Sequence, residues 1–212
     1  MTLLHDFALS SASYRVRIAL NLKGIAYEAK SYKLRAGEQR APEYLAKNPA
    51  GMVPTLEIDG LALTQSLAII EYLDTTRPEP RLIPINPAER AHAMALALTI
   101  CCDIHPVNNL RVLLYLEREL GAEEPARSRW YAEWVTSGFG ALEQMLAARP
   151  ETTFALGDAP GIVDTCIVPQ MFNARRFKVD LAPYPRLVGA ADRALAHPAF
   201  AAAAPAMPTS PS

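Results

Sequence analysis

The chain changes its pattern once, at a proline-rich break near residue 80. Before the break, short apolar runs alternate with single helical stretches, which is typical of a mixed α/β domain. Residues 78–84 contain three prolines, which suits a linker. After the break, apolar residues recur every three or four positions, first in one stretch over residues 88–120, which is the spacing of an amphipathic helix. The pattern predicts an α/β domain over residues 1–80, an all-helical domain over 87–205 and a flexible tail at 206–212. From Ala201 onward, alanine, proline and serine are mixed without periodicity, which predicts an irregular, frayed end.

The α/β part follows the order strand, helix, strand, short helix, two strands and helix. The first helix ends at Lys23 and Gly24, a basic residue followed by a glycine stop. Asp59 and Gly60 separate two apolar runs, which predicts a type I′ hairpin because both residues tolerate positive φ. Ser66 precedes the last apolar run of this domain, so we expect it to be the N-cap of a helix.

Composition narrows the kinds of partner. The formal net charge is −1 and the basic residues are scattered, so the sequence lacks the electrostatic signature of nucleic-acid or anionic-membrane binding. No apolar stretch reaches the roughly 18 residues of a membrane span, and the N-terminus lacks a secretory pattern. We therefore expect a cytoplasmic protein that binds small molecules. Cys101, Cys102 and Cys166 form no CxxC pair and no metal-ligand spacing, which predicts reduced thiols and no metal site.

A serine-rich turn joins the first strand to the first helix and contains Ser10, Ser11 and Ser13. In a thioredoxin-like fold this junction holds the redox cysteines, because the helix N-terminus favours a thiolate. A serine hydroxyl at this place can donate a hydrogen bond to the sulfur of a bound thiol and favour its ionised form. The same residues also suit a plain helix cap, and the turn by itself leaves both interpretations open.

Two further segments point to the same kind of ligand. Val53 and Pro54 precede a strand, and although most X-Pro bonds are trans, a proline at this place permits a cis peptide bond that would present backbone groups to an extended ligand. Gln65 and Ser66 begin the next helix, whose N-terminus suits a ligand carboxylate, although a plain cap is an alternative here too. Together with the serine turn, these segments predict a site for a peptide-like anionic thiol.

The run Ser10-Ser11-Ala12-Ser13-Tyr14-Arg15 opens a set of motifs that extends over nearly the whole chain. The set comprises residues 10–28, 48–49, 53–56, 65–73, 77–78, 103–109, 157–158, 168–170, 176–181 and 183–185. It resembles the zeta class of glutathione transferases, which includes maleylacetoacetate and maleylpyruvate isomerases. The resemblance implies the glutathione transferase fold, a thioredoxin-like N-terminal domain with a mixed four-stranded sheet followed by an all-α C-terminal domain. It also implies a homodimer with glutathione as its cofactor.

The resemblance implies roles for individual residues. Ser11 or Ser10 assists the glutathione thiolate, and Arg15 raises the local positive potential. Glutathione itself is held by Ser10, Ser11, Gln39, Val53, Pro54, Gln65 and Ser66, with His105 and Asn109 where the helical domain covers the cofactor. The candidate clamps for substrate carboxylates are Arg176, Arg175 and Arg111, because a guanidinium matches a carboxylate in shape and charge.

The leading hypothesis is the cis–trans isomerisation of a maleyl-type diacid by reversible addition of the glutathione thiolate. Leu9 stands where the family usually carries an arginine, and Leu110 stands where some members carry one. A less cationic pocket favours the alternative of conjugating or dehalogenating small electrophiles such as α-halo acids. A third hypothesis is a glutathione-binding module without catalysis. Two other departures are Ala12, in place of a cysteine, and Gly161, in place of a serine or threonine helix cap whose partner Asp164 is kept.

Overall fold

The computed structural model describes residues 1–205 and divides into two compact units. The first unit comprises residues 1–82 together with the segment that begins at His197, and the second comprises residues 83–196. The first division falls within the proline-rich segment. The helical unit ends at Ala196 and not at the expected residue 205, because the segment that begins at His197 belongs to the first unit. The predicted flexible tail, residues 206–212, lies outside the described residues.

The first unit has the thioredoxin-like arrangement that the sequence predicted. Its elements are β1 (Leu3–Asp6), α1 (Ser11–Leu22), β2 (Glu28–Ser31), α2 (Pro42–Leu45), β3 (Thr55–Ile58), β4 (Leu61–Thr64), α3 (Ser66–Thr76) and α9 (Pro198–Ala203), with 3₁₀ turns at Leu34–Ala36 and Glu38–Arg40. The strands form one sheet in the order β2-β1-β3-β4. Strand β2 is parallel to β1, whereas the β1–β3 and β3–β4 pairs are antiparallel, so the sheet is mixed.

The core of this unit lies between the sheet and helices α1 and α3. Leu4 and Leu56 from the central strands are fully buried, as are Leu20 of α1 and Ile69 and Leu73 of α3. Burying an aliphatic side chain of this size stabilises a fold by about 1.5–3 kcal/mol. Strands β2 and β4, at the two edges of the sheet, are much more exposed than β1 and β3. The hydrophobic runs of the sequence therefore mark the central strands and the two helices that cover them.

The two turn predictions have different outcomes. Asp59 and Gly60 both have positive φ, 53° and 79°, as a type I′ hairpin requires. The prediction that Ser66 is the N-cap of α3 is wrong by one position, because Gln65 occupies the N-cap and Ser66 is the first helical residue. Gln65 has a φ of 67°, a conformation that costs a non-glycine residue about 1–3 kcal/mol and is concentrated at functional sites.

Helix α9 packs on α1 within the first unit. Phe200 is fully buried, and the Arg17 Nε donates a hydrogen bond to the carbonyl of Ala203 (3.0 Å). The same guanidinium pairs with Asp6 at the end of β1 (2.7 Å). The sequence predicted an irregular tail from Ala201 onward, and this is wrong for residues 201–203, which complete α9. Their helical conformation is held by these tertiary contacts, which a six-residue helix needs because isolated short helices are unstable.

The second unit is helical in all its regular elements within the described residues. They are α4 (Pro87–Leu98), a π-helical turn (Thr99–Ile104), α5 (Leu110–Arg118), α6 (Glu124–Ala147), α7 (Ile162–Arg176) and α8 (Pro185–Leu195). The periodicity over residues 88–120 predicted one continuous stretch, but the structure interrupts it at the π-helical turn. Asn109 restarts the helix as the N-cap of α5, with its Oδ1 accepting from the Arg111 N–H (3.1 Å).

Gly138 on α6 allows a close approach to the π-helical turn. A Cβ at this position would lie 2.3 Å from two side-chain carbons of Ile104, which is fully buried. Gly138→Ala should therefore destabilise the protein by about 1–3 kcal/mol through overpacking. Both tryptophans lie on the same helix, at Trp130 and Trp134, so urea unfolding followed by tryptophan fluorescence measures the change.

Gly140 provides the matched control because it lies on the same helix two residues further on. A Cβ there meets no atom within 4 Å, so Gly140→Ala should stabilise the protein by about 0.5–1 kcal/mol through helix propensity alone. Equal unfolding midpoints for the two alanine variants would contradict the close packing of α6 against the π-helical turn.

Asp164 anchors the N-terminus of α7. Its Oδ2 accepts from the N–H of Gly161 (2.9 Å) and its Oδ1 accepts from the N–H of Ala155 (2.8 Å). Since glycine has no side chain, only the carboxylate half of a capping box exists here, as the sequence indicated. Burial raises the pKa of Asp164 to about 6, although the two backbone hydrogen bonds oppose the shift. The folded protein thus binds this proton more tightly than the unfolded chain does.

The raised pKa of Asp164 fixes the sign of a pH effect. Its stabilising contribution is fully present below a pH of about 4 and is lost as the pH rises through about 6, by up to about 3 kcal/mol. Asp164→Asn removes this titration. We expect the stability deficit of the variant relative to the wild type to shrink between pH 4 and pH 7, as measured by urea unfolding at several pH values. Parallel stability curves for the two proteins would contradict the shift.

Candidate functional site

The register of the sheet brings three predicted segments to one end of it. His5 near the end of β1 pairs with Thr55 at the start of β3, and Thr55 pairs with Thr64 at the end of β4. The serine turn follows β1, the Val53–Pro54 segment precedes β3 and Gln65 follows β4. Because all three segments adjoin the same row of paired residues, they lie at the same end of the strands in the first unit.

The serine turn combines a cap with a buried hydroxyl. Ser10 is the N-cap of α1, and its Oγ accepts a hydrogen bond from the N–H of Ser13 (3.2 Å). Ser11 is the first helical residue and is only 3% exposed. The plain-cap interpretation therefore applies to Ser10. Ser11 stands at the positive end of the helix dipole, the position that favours a bound anion.

Arg15 connects the first helix to the start of α3. Its Nη1 donates to the Oγ of Ser66 (3.3 Å), and the residue is only 2% exposed. Its Nε and Nη2 are buried and have no hydrogen-bond partner among the described residues. A buried guanidinium with unmet donors is costly unless an anion completes it. The arrangement therefore places positive charge at the N-terminus of α3, beside Ser66.

A hydrogen-bonded bracket holds the chain immediately before Val53. The carbonyl oxygen of Met52 accepts from the Tyr44 hydroxyl (2.6 Å) and from the Asn48 Nδ2 (2.7 Å). Both side chains also contact the Oγ1 of Thr55, at 2.9 Å and 3.2 Å. The Val53–Pro54 peptide bond is cis, as the sequence led us to expect. The bracket fixes the backbone of Val53 from both sides.

Gln39 offers a second open polar group. It lies in the 3₁₀ turn Glu38–Arg40, and its Nε2 donates to the carbonyl of Leu34 (3.2 Å). Its Oε1 is buried and has no hydrogen-bond partner among the described residues. The hydrogen bond of its Nε2 therefore fixes the Gln39 amide, while its Oε1 is available to accept a hydrogen bond from a ligand.

These unmet groups allow a test of whether glutathione suits the first unit. The tripeptide carries carboxylates, which match the open donors of Arg15, and a peptide N–H group, which matches the open acceptor of Gln39. The N-terminus of α3 at Ser66 adds backbone N–H groups for a carboxylate. The residues present fit the cofactor that the sequence predicted. Within residues 1–205, no group of three or more His, Cys, Asp or Glu side chains is placed to hold a metal ion.

The remaining predicted cofactor residues lie in the second unit. His105 follows the π-helical turn, and its N–H donates to the carbonyl of Ile100 (2.9 Å). Asn109 uses its side chain to cap α5. The cap accounts for Asn109 locally, and the cofactor contacts of both residues stay predictions.

The three candidate arginines have different surroundings. Arg175 pairs with Asp192 (2.6 Å) at the surface, and Arg111 is exposed on α5. Arg176 is half-buried and lies over the ring of Phe177, with 5.1 Å from its Cζ to the ring centroid. Phe177 in turn stacks on Tyr131. Burial raises the pKa of the Tyr131 hydroxyl, and the positive charge of Arg176 partly offsets this increase. Among these three arginines, Arg176 is therefore the one most shielded from solvent, where the interaction with another charge is least screened.

Sequence reasoning missed the bracket formed by Tyr44 and Asn48. Asn48 and Pro49 were part of the motif set, but no role was attached to them. The sequence signal that could have indicated it is the Asn48-Pro49 pair, which begins five residues before Val53. The Asn48 Oδ1 also accepts a hydrogen bond from the N–H of Ala50 (3.1 Å), which is typical of an asparagine that stabilises a turn.

Comparisons with known proteins agree on one family. The model of the glutathione S-transferase N-terminal domain matches residues 4–81. The probable maleylacetoacetate isomerase of Vibrio cholerae is 49% identical over 206 residues, which covers 96% of this chain and 95% of that protein. The holo structure of a bacterial zeta-class maleylpyruvate isomerase has a TM-score of 0.94 at 41% identity, covering 99% of this chain and all of the other.

A third relative carries bound ligands. The maleylacetoacetate isomerase of Anaeromyxobacter dehalogenans, crystallised with dicarboxyethyl glutathione and citrate in its active site, has a TM-score of 0.86 at 36% identity. The alignment covers 100% of this chain and 98% of that one. Identities of this size over the full length exceed what a shared fold alone produces. The chain belongs to the zeta-class glutathione transferase family of maleylacetoacetate and maleylpyruvate isomerases.

Proposed function

We propose that the protein is a glutathione-dependent cis–trans isomerase that converts a maleyl-type diacid, maleylacetoacetate or maleylpyruvate, into its fumaryl isomer. The observation that carries the proposal is the buried Arg15 with unmet donors beside Ser66, in a family of glutathione-dependent isomerases. Glutathione, when bound, supplies a thiolate that adds to the conjugated double bond, permits rotation and leaves again. The enzyme has to ionise the thiol, hold the diacid and stabilise the negative charge that develops.

The first unit provides the groups for the cofactor. Ser66, with Arg15 behind it, would bind the γ-glutamyl carboxylate at the N-terminus of α3. Gln39 and the backbone of Val53 would bind the peptide part. Ser11 would donate a hydrogen bond to the sulfur at the N-terminus of α1, which lowers a thiol pKa from its ordinary value of roughly 8.5. Pro54, Ser10 and Gln65 complete the predicted set.

Arg176 is our candidate for binding a substrate carboxylate, with Arg175 and Arg111 as further predicted clamps. Arg175 already has a carboxylate partner in Asp192, so it has less charge to offer. Leu9 and Leu110 supply no charge at the two positions where the family resemblance implies an arginine, usually at the first and in some members at the second, which leaves fewer guanidinium groups for a diacid. Arg176 should therefore contribute more to substrate binding than it would if several arginines shared the substrate carboxylates.

The test is an assay of the purified protein with each of the two maleyl substrates, with and without glutathione. We expect isomer conversion only when glutathione is present, while the concentration of free thiol stays constant during turnover. Consumption of glutathione would instead identify conjugation, and release of halide from α-halo acids would identify dehalogenation. No glutathione-dependent conversion of either diacid, together with no calorimetric binding of glutathione, would leave only the fold.

We also propose a cytoplasmic homodimer. Large apolar side chains are exposed in both units, among them Leu61, Ile85, Tyr115 and Leu120, and such side chains are commonly covered in oligomers. Light scattering would distinguish a dimer from the 23.1 kDa chain. No helix within the described residues is both long and apolar enough to cross a membrane.

A further inference from the structure

Two cysteines from distant parts of the sequence meet inside the helical unit. The sulfur atoms of Cys101 and Cys166 are 3.8 Å apart, although the residues are separated by 65 positions. Cys101 lies on the π-helical turn and is half-buried, whereas Cys166 lies on α7 and is fully buried. All three cysteines fall within the described residues, and none of them forms a disulfide. The pair stands near van der Waals contact, with one sulfur partly open to solvent.

We propose that Cys101 and Cys166 form a reversible disulfide, with glutathione disulfide or a similar small disulfide as the oxidant. The thiolate of Cys101 attacks one sulfur of glutathione disulfide, so that a mixed disulfide forms and one glutathione thiolate leaves. The thiolate of Cys166 then attacks the Cys101 sulfur and displaces the second glutathione. The two protein thiols lose two electrons and their protons, and one glutathione disulfide becomes two molecules of glutathione.

Burial of Cys166 is compatible with this sequence of steps. Only Cys101 has to meet an oxidant from solution, and its partial exposure permits that. Cys166 attacks a sulfur that is already beside it, so it needs no access to solvent. The pair thus divides into an attacking thiol and a resolving thiol, the arrangement that favours a disulfide over a persistent mixed disulfide.

The structure also indicates which element moves to close the bond. A disulfide requires about 2.05 Å between the sulfur atoms, so the observed 3.8 Å must shorten. Helix α7 is buried along ten consecutive residues from Ile162 to Met171 and resists displacement. The π-helical turn is six residues long and ends at the break before α5, and π-helical hydrogen bonding is uncommon and local. We expect the turn to shift toward α7.

Cys102 provides a matched control because it is adjacent to Cys101 but exposed. The experiment incubates the wild type, Cys102→Ser and Cys101→Ser with graded mixtures of reduced and oxidised glutathione. Free thiols are then alkylated and the peptides are identified by mass spectrometry without reduction. We expect the wild type to lose two of its three thiols to a linkage between Cys101 and Cys166, and dithiothreitol should restore both. Cys102→Ser should form the same linkage.

Cys101→Ser should leave Cys166 reduced under all conditions. Oxidised Cys102→Ser should unfold at a temperature higher than its reduced form by about 5 °C or more, because the bond closes a loop of 65 residues. The proposal is overturned if glutathione remains as a mixed disulfide while Cys166 stays reduced. It is equally overturned if Cys166 links to Cys102, or if the only linkage joins two chains. Thiol counting needs no catalytic assay, so this test is separate from that of the isomerase.

Discussion

Ser11→Ala should lower kcat/KM for the isomerisation by about 10²-fold or more, the loss expected when one key donor to a developing charge is removed. Ser11 is the first residue of α1 and is nearly buried, so its hydroxyl acts where water cannot replace it easily. Without it, the sulfur loses a direct hydrogen-bond donor, and the helix dipole alone stabilises a thiolate less. Steady-state kinetics with each maleyl substrate measure the loss, and the ultraviolet absorbance of the enzyme-bound thiolate reports the pKa of glutathione directly.

Ser10→Ala is the matched control for this prediction. The Oγ of Ser10 accepts from the Ser13 N–H, so its removal should cost about 1 kcal/mol of stability, as measured for other helix caps. We expect the thiol pKa to rise in the Ser11 variant and to change far less in the Ser10 variant. The reverse order would assign the thiolate to Ser10, and unchanged thiol pKa values in both variants would remove the hydroxyl from the mechanism.

The parts of the site that the sequence predicted are the ones encoded by local chemistry. The order of strands, the hairpin at Asp59 and Gly60 and the serine turn all depend on residues within a few positions of each other. Once the hairpin pairs β3 with β4 and β3 pairs with β1, the serine turn, Val53 and Gln65 meet at one edge without further instruction. This is why the three local patterns converge on one end of the sheet.

The parts that the sequence did not predict depend on distant partners. Helix α9 is short and rich in alanine, and only its packing against α1 distinguishes it from an irregular tail. The π-helical turn keeps the apolar spacing of the helix before it, so periodicity could not reveal the interruption. Arg15 belonged to the motif around the serines, yet its charge reaches Ser66, which lies 51 positions away. No local pattern records which way a long side chain turns.

Lys23 was correctly interpreted as a basic residue at the end of α1, but the sequence did not reveal its tertiary contacts. Its basic charge suited the end of α1, but its side chain is completely buried. The Nζ donates to the Asp74 carboxylate (2.7 Å) and to the carbonyls of Arg77 (2.8 Å) and Pro80 (2.6 Å). It therefore joins the ends of α1 and α3 to the proline-rich segment. The ammonium has three donors and all three are used.

Lys23→Met should destabilise the protein by up to about 3–5 kcal/mol, because it removes the nearer and fully buried cation from the buried Asp74 carboxylate, whereas Arg81 pairs with that carboxylate at 3.7 Å and is partly exposed. Far-UV circular dichroism during urea unfolding is the suitable measurement, since both tryptophans lie in the other unit. Arg77→Met is the control. Its side chain pairs with Asp59 at 2.8 Å, but both partners are substantially exposed, so the unfolding midpoint should hardly move.

Adding Asp74→Asn to Lys23→Met separates charge from packing. The amide still accepts from the N–H of Leu82, which donates to the Asp74 Oδ1 in the wild type (2.7 Å), but it carries no negative charge that the buried lysine would have to balance. The double variant should therefore be more stable than Lys23→Met alone, even though it carries one more substitution. If it is less stable, the lysine acts through its three hydrogen bonds and its packed methylene groups, and the buried charge is not the reason for its position.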